Sequence, residues 1–435
     1  MSQSSTVTQT ETGSADLSSQ LDRYARILVE HGGGVSPGQR VYLSGEVVHR
    51  DLMLRMQEAA YRAGASYVST SLNDPVAFAH TLRHARIEEL EMAIDSERHW
   101  LNECVAHRGA LISLRGDEMP RLMPSLAEEL PERHALYTRA AADKKKIFMR
   151  HGINRSLCPW VVAGAVSPAW AKLVFPDLDE PEAVDRLWRL IFSFTHADRS
   201  DAVEAAAAKD RQLHSRRKHL DALEIRRLHI IGGGSDLVVG LSEKARWLGG
   251  SKLTADGQRF NANVPSEENF TTPDRRVTHG RLAATMPFRT KSGLLVEGLV
   301  MNFVDGRIES VEAKKGAEAF ERWIDVDAGG RFLGEVALVG ADSPIARSGL
   351  FFEHTLFDEN AWPHVAVGQA YATALRGGED MGAAEKESLG FNLSSIHTDI
   401  MFGSPEVSII ATETREGAVT LIENGSWTER FLEAE

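Results

Sequence analysis

The hydrophobic periodicity of this 435-residue chain changes character near residue 222, and no other feature constrains its fold as strongly. Before that point, helical and strand patterns alternate. Tyr24, Ile27 and Leu28 lie at helical spacing, and Pro37-Gly38-Gln39 leads into the apolar run Val41-Tyr42-Leu43. A second amphipathic helix follows, and residues 66–70 read as a strand, so the order is that of β-α-β units. Charged helical stretches then run through residues 87–146, a strand is expected over 146–149, and more helix over 181–210. The first part therefore predicts an open α/β domain with helices on its sheet.

After Leu223 the apolar stretches become short (228–231, 237–240, 293–304 and 335–339) and are separated by Gly, Asn, Asp and Pro. Strands should dominate there, with helical interludes at 317–323 and 364–375, which predicts an α+β domain with a mainly antiparallel sheet. A chain of this length exceeds one ordinary hydrophobic core. The expected division is a disordered polar tail over residues 1–18, an N-terminal α/β domain over 19–222 and a C-terminal domain over 223–435.

Charge narrows the class of function. The net charge is −13, and the basic residues are scattered apart from short runs at 144–146 and 216–218, so a nucleic-acid partner is not expected. Cys104 and Cys158 lie far apart in no metal or redox spacing, which argues against a disulfide framework or a thiolate metal site. No apolar run reaches membrane-spanning length, and residues 1–18 lack the basic start and apolar middle of a signal peptide, so no membrane partner and a cytoplasmic location are expected. Gly232-Gly-Gly-Ser-Asp236 has neither dinucleotide spacing nor a following Lys and Ser or Thr, and reads as a tight turn. His80 with His84, and His214 with His219, read as exposed helical faces.

Potential ligands gather between residues 268 and 399. In Ile396-His-Thr-Asp-Ile-Met401, strand alternation turns His397 and Asp399 to one face, opposite Ile396 and Thr398. Such a face suits a cation, though a plain His–Asp hydrogen bond on an edge strand satisfies the same pattern. His364 follows Pro363, a residue favoured in a first helical turn, and Tyr371 would lie two turns along the same face. Glu359 can converge with His364, or Asp358 and Glu359 can simply complement the helix dipole. Glu335 enters a strand that looks buried beyond it, which is costly for a carboxylate without a partner. In Glu267-Glu268, extended backbone sends the two side chains apart, so one is expected to ligate and the other to remain for proton transfer or solvent.

These residues resemble the aminopeptidase T and aminopeptidase S group of metallopeptidases. The matching phrases are Asp236-Leu-Val-Val-Gly-Leu241 with Ala245-Arg-Trp-Leu-Gly249, Pro265-Ser-Glu-Glu268, Leu295-Val-Glu-Gly-Leu299, Gly334-Glu-Val-Ala-Leu-Val339, Pro344-Ile-Ala346, Leu356-Phe-Asp-Glu-Asn360, residues 364–371, and His397-Thr-Asp399 with Gly403-Ser404. Pro37-Gly38-Gln39 and Ala59-Ala-Tyr-Arg-Ala-Gly64 extend the likeness to almost the whole chain from about residue 20. The resemblance implies exopeptidases with two metal ions in one site, held by Glu268, Glu335, Glu359, His364, His397 and Asp399, with Tyr371 as a catalytic phenol. It also implies a homodimer acting on a small peptide or aminoacyl substrate. Asn269, Phe352-Glu-His354 and the 158–170 segment depart from the pattern of the family.

Two histidines with four carboxylates suit zinc, cobalt or manganese. On this reading Glu335 bridges the ions, Tyr371 donates to the developing oxyanion, and Glu267 is a candidate general base. The competing enzyme reading takes His364, His397 and Asp399 alone as the two-His, one-carboxylate set of a ring-cleaving dihydroxypyridine dioxygenase. It leaves Glu268, Glu335 and Glu359 without a task.

Overall fold

Apolar runs that are buried throughout belong inside parallel sheets, which have helices on both faces. Ala110–Arg115 is such a run, buried at every position but the last. In the computed structural model, which describes residues 6–91, 95–290, 293 and 295–432, it sits at the centre of a five-stranded sheet. The order is Tyr67–Asn73, Arg40–Glu46, Ala110–Arg115, Trp160–Gly164 and Asn263–Val264, and every pair is parallel. The helix Arg50–Arg62 buries Leu52, Met53, Met56, Ala59 and Ala60, the spacing that makes it the crossover between the first two strands. Cys104 and Cys158 meet in this unit as buried free thiols, with the Cys158 thiol 3.7 Å from the Cys104 carbonyl.

This parallel unit comprises Met1–Ala208 and Ser251–Pro265; the other comprises Lys209–Gly250 and Ser266–Glu435. The chain thus passes between the units at three points rather than once near 222, because Asn263–Val264 returns to add the last parallel strand. Residues 1–5 of the expected tail lie outside the described residues, and from Thr6 the chain is helical (Thr6–Arg26).

Other expectations fail locally. Residues 146–149 are not a strand: the helix Pro131–Ile147, started by its proline, runs into the helical turn Phe148–Ile153, so Ile147 ends the helix and Phe148 is buried in the turn. The strand Ala110–Arg115 interrupts the charged helical region, and the expected helix over 181–210 is two helices. Glu180–Thr195 starts on the Asp179 cap and stops at His196, whose φ of 63° is left-handed; Ala202–Ala222 follows.

In the second unit, Arg227–Gly232 and Ser235–Leu241 form a hairpin whose turn uses glycines 232–234 at φ of 105°, 59° and 87°. They sit mid-sheet among eight antiparallel strands. A second antiparallel sheet has the order Asn269–Thr271, Leu333–Leu338, His364–Gly368, His397–Met401. Leu228, Ile230, Val239 and Met301 of the larger sheet share one core with Val336, Leu338, Val365, Val367 and Ile400 of the smaller. The helix Ala317–Ile324 occurs where it was expected. His80 and His84 are exposed, but His214 and His219 are half-buried. Their part of the helix buries Asp210, Leu213, Ser215, Arg216 and Leu220, and so has little face left for water.

Candidate metal centre

The four-stranded sheet has one face in the core, so its other face is free to carry polar side chains. Directly opposed residues in antiparallel strands share a face, as do residues two apart along a strand. Glu335 pairs with Ala366, and Ala366 pairs with Asp399, which sets two carboxylates on either side of a methyl group. His364 lies two residues from Ala366, and His397 two from Asp399, so all four functional side chains fall on the same face. Ala366 keeps the centre of the array open. The opposite face is pinned by Val365, Val367 and Ile400 in the core and by the bond from Trp323 Nε1 to Thr398 Oγ1 at 3.0 Å.

This corrects the helix expected over 364–375. His364–Gly368 is a buried strand, which the run Val365-Ala-Val367 favours, and Tyr371 follows it at the start of the short turn Ala372–Ala374. Tyr371 still reaches the site: its ring lies 5.0 Å from that of His397. The dipole alternative for Asp358 and Glu359 also fails, since both lie at the end of the helix Thr355–Asp358 and no helix starts at His364.

Two groups of potential ligand atoms form, each within 4.8 Å: Glu268, Glu335 and His364, and Glu335, His397 and Asp399. His364 Nε2 is 3.4 Å from Glu268 Oε2 and 3.5 Å from Glu335 Oε1. His397 Nε2 is 3.2 Å from Asp399 Oδ1 and 4.0 Å from Glu335 Oε2. Glu335 Oε2 is buried with no hydrogen bond, a position that a bound cation would relieve. With only imidazole and carboxylate donors, the set fits divalent ions that prefer nitrogen and oxygen.

The charges confirm how closely these groups interact. Burial disfavours the His364 cation, but the hydrogen bond with Glu335 and the charges of Glu268 and Asp399 outweigh it and raise the pKa to about 10. His397 rises to about 9 against the same penalty, mainly through Asp399. Burial and then the carboxylates of Asp399 and Glu268 push the Glu359 carboxyl well up, although Glu359 belongs to neither ligand group. Tyr371 as a whole is 45% exposed, yet the crowding around its phenol and the nearby carboxylates raise its pKa too.

Glu267 turns away, as expected of consecutive residues in extended chain, and pairs with Lys209 outside both groups. Its backbone N–H donates to Asn360 Oδ1 at 2.6 Å, Asn360 Nδ2 donates to Leu356 O at 2.8 Å, and Ser343 Oγ donates to Asn360 O at 2.8 Å. Asn360 therefore ties the Glu268 segment to the Glu359 segment. Sequence reasoning missed it, and its place directly after Glu359 was the available signal. Asp358 accepts from the backbone of Phe352 at 2.8 Å and His354 at 2.9 Å, and Asn269 Nδ2 donates to Leu213 O and Leu248 O. The residues that depart from the family pattern at 269 and 352–354 thus serve the scaffold around the ligands.

The sequence profile of the thermophilic metalloprotease (M29) family matches residues 17–427. Aminopeptidase T of Thermus thermophilus is 37% identical over 411 residues, covering 94% of this chain and 98% of that protein. Aminopeptidase AmpS of Bacillus subtilis is 33% identical over 410 residues, with the same two coverages. The solved structure of wild-type AmpT from Thermus thermophilus superposes with a TM-score of 0.86 at 35% identity, covering 94% of this chain and 99% of that one.

Proposed function

Because this chain belongs to the thermophilic metalloprotease (M29) family, we propose that the ligand-bearing face of its four-stranded sheet holds two divalent ions and removes N-terminal residues from small peptides or aminoacyl amides. The enzyme is a metallo-aminopeptidase, a hydrolase. The observation that carries the two-ion reading is the sharing of Glu335 between two ligand groups on one face. The relatives are aminopeptidases, which supports hydrolysis and lends no support to the dioxygenase reading.

Glu268 and His364 would hold one ion, His397 and Asp399 the other, with Glu335 offering an oxygen to each and Glu359 completing the set. Zinc, cobalt or manganese in this site would act as a Lewis acid on the scissile carbonyl, lower the pKa of water and fix the substrate's free α-amine. The protein's own groups do the rest. Tyr371, kept protonated by its surroundings, donates a hydrogen bond to the carbonyl oxygen as negative charge builds, a contribution of about 3 kcal/mol in comparable sites. The histidines must present neutral Nε2, and His397 is oriented for this by Nδ1, which lies 2.7 Å from the Gln369 carbonyl.

Among the described residues no helix is long and apolar enough to cross a membrane. A cytoplasmic homodimer is the proposed setting. Metal analysis, combined with anaerobic hydrolysis of an aminoacyl amide by protein loaded with zinc, cobalt or manganese, tests the function. Two ions per chain and cleavage that N-acetylation of the substrate largely abolishes are expected. Equal turnover of acetylated and unmodified substrates would remove the exopeptidase assignment.

A further inference from the structure

The two histidines are supported differently. His364 Nδ1 is 3.3 Å from the Trp362 carbonyl, a loose contact, and the residue is held by being 1% exposed. His397 is more open and depends on its 2.7 Å bond to the Gln369 carbonyl. A carbonyl only accepts, so Nδ1 carries the hydrogen and Nε2 is turned toward Asp399 and Glu335. The position of the Gln369 carbonyl therefore sets the aim of His397.

Gln369 is fixed at several atoms. Its backbone N–H donates to Ile396 O at 2.6 Å, its Nε2 donates to Ala370 O at 2.7 Å, and its Oε1 accepts from Ser394 N at 3.0 Å. Ser394 and Ser395 are in turn held by one carboxylate. Asp327 Oδ1 accepts from Ser394 Oγ at 2.8 Å and Gly329 N at 3.0 Å, and Oδ2 accepts from Ser395 N at 2.6 Å and Ser395 Oγ at 2.7 Å. Burial opposes ionisation of Asp327, but these donors outweigh it and bring the pKa down to about 2, so the group is an acceptor at any working pH.

Resting on the two-ion reading above, we propose that Asp327 is a positioning residue for the His397 half of the centre, acting through Ser394 and Gln369. The fold of this corner has a separate fastening. Asn392 Nδ2 donates to the carbonyls of Gly329 at 2.8 Å, Phe332 at 3.1 Å and Gly368 at 2.6 Å, which ties the same loops without touching Asp327 or Gln369. Asp327 is thus left to set the local geometry of residues 394–395, immediately ahead of the strand His397–Met401.

The test is cobalt and zinc uptake by the metal-stripped full chain in chelator competition, comparing the native protein with Asp327→Asn and Ser394→Ala. Asparagine keeps the shape but cannot accept from all four donors. Native protein should bind two ions. Asp327→Asn should bind one ion at native affinity and the other about 10–100-fold more weakly, the usual scale for loss of support behind a ligand, with an unchanged circular dichroism spectrum. Ser394→Ala, which removes one link of the relay, should weaken the same ion less, and it keeps the test open if Asp327→Asn misfolds. A purely structural role would not discriminate between the ions, so equal weakening of both, loss of both in step with unfolding, or no change would overturn the inference. Fewer than two ions in the native protein would instead defeat the two-ion reading itself.

Discussion

The half of the centre around His364 is closed, and the half around His397 is open. The difference lies in the histidines: the His364 side chain is 1% exposed and that of His397 13%, while Glu268 at 9% and Asp399 at 10% are alike. In the closed half His364 Nδ1 has only a loose contact with the Trp362 carbonyl and the ring is held by packing; in the open half His397 Nδ1 is held by a relay of hydrogen bonds. Tyr371, partly exposed and with its ring tilted against that of His397, belongs to the open half. On the two-ion reading, the contrast teaches that such a site would divide its work, with one ion anchored by the core and the other presented to substrate. Glu335 is the only ligand common to both groups, and it is the place to break the comparison first.

Glu335→Gln should have the largest effect. It removes a negative charge that both halves share, so both ions should be lost and hydrolysis should disappear, with the strand still paired through its backbone. Metal content and circular dichroism would check this. Retention of one ion in the closed half would show that Glu335 serves only the open half.

Tyr371→Phe should come next. It should keep both ions and lower kcat by roughly 10²–10³, as expected for one lost oxyanion donor. Steady-state kinetics on fully loaded protein would measure it. Native turnover would make Tyr371 a packing partner of His397 and Phe270, whose ring lies 6.1 Å away.

The third effect is graded by pH. His364 at about 10 and His397 at about 9 hold protons in the metal-free protein far above the ordinary histidine value. A folded-state pKa above the unfolded one gives stability that is complete below about pH 6.5 and is lost as pH rises through 9 to 10. The raised Glu359 carboxyl has the same sign, because there too the folded state binds the extra proton. Metal-free Tm should therefore fall on alkalinisation. Metal uptake displaces these protons, so affinity should rise about tenfold per pH unit for each one displaced. Thermal melts with and without metal from pH 6 to 10 would decide, and a metal-free Tm that climbs with pH would contradict the account.

What was legible in the sequence follows the reach of its signals. His397 and Asp399 obey a two-residue alternation, so their shared face could be read directly, and it holds in the structure. The apolar run around Glu335 similarly identified a buried strand. His364 was misplaced on a helix because Pro363 is an equally good start for an edge of either element, and periodicity over five residues cannot separate them. Ala366 and Asn360 were invisible as site residues because their roles depend on register and loop contact, which are non-local. The return of residues 251–265 to the parallel sheet is non-local for the same reason.

The smallest catalytic effect is expected at Glu267, where the two sides of a consecutive pair diverge. Glu268 faces His364, while Glu267 is buried against Lys209, with burial raising its pKa and Lys209 lowering it. A general base must reach the proton it removes, and removal of one usually costs 10²–10⁴ in rate. A residue engaged with Lys209 instead neutralises a charge inside the fold. Glu267→Gln keeps the shape and leaves the Lys209 ammonium, which is only 20% exposed, without its counter-charge. The expected outcome is a stability loss of about 1–3 kcal/mol with kcat within roughly tenfold of native. Denaturant midpoints and kinetics on the same samples separate the two roles. A fall in kcat of a hundredfold or more at unchanged stability would return the proton-transfer step to Glu267, and would mean that its carboxylate leaves Lys209 when substrate binds.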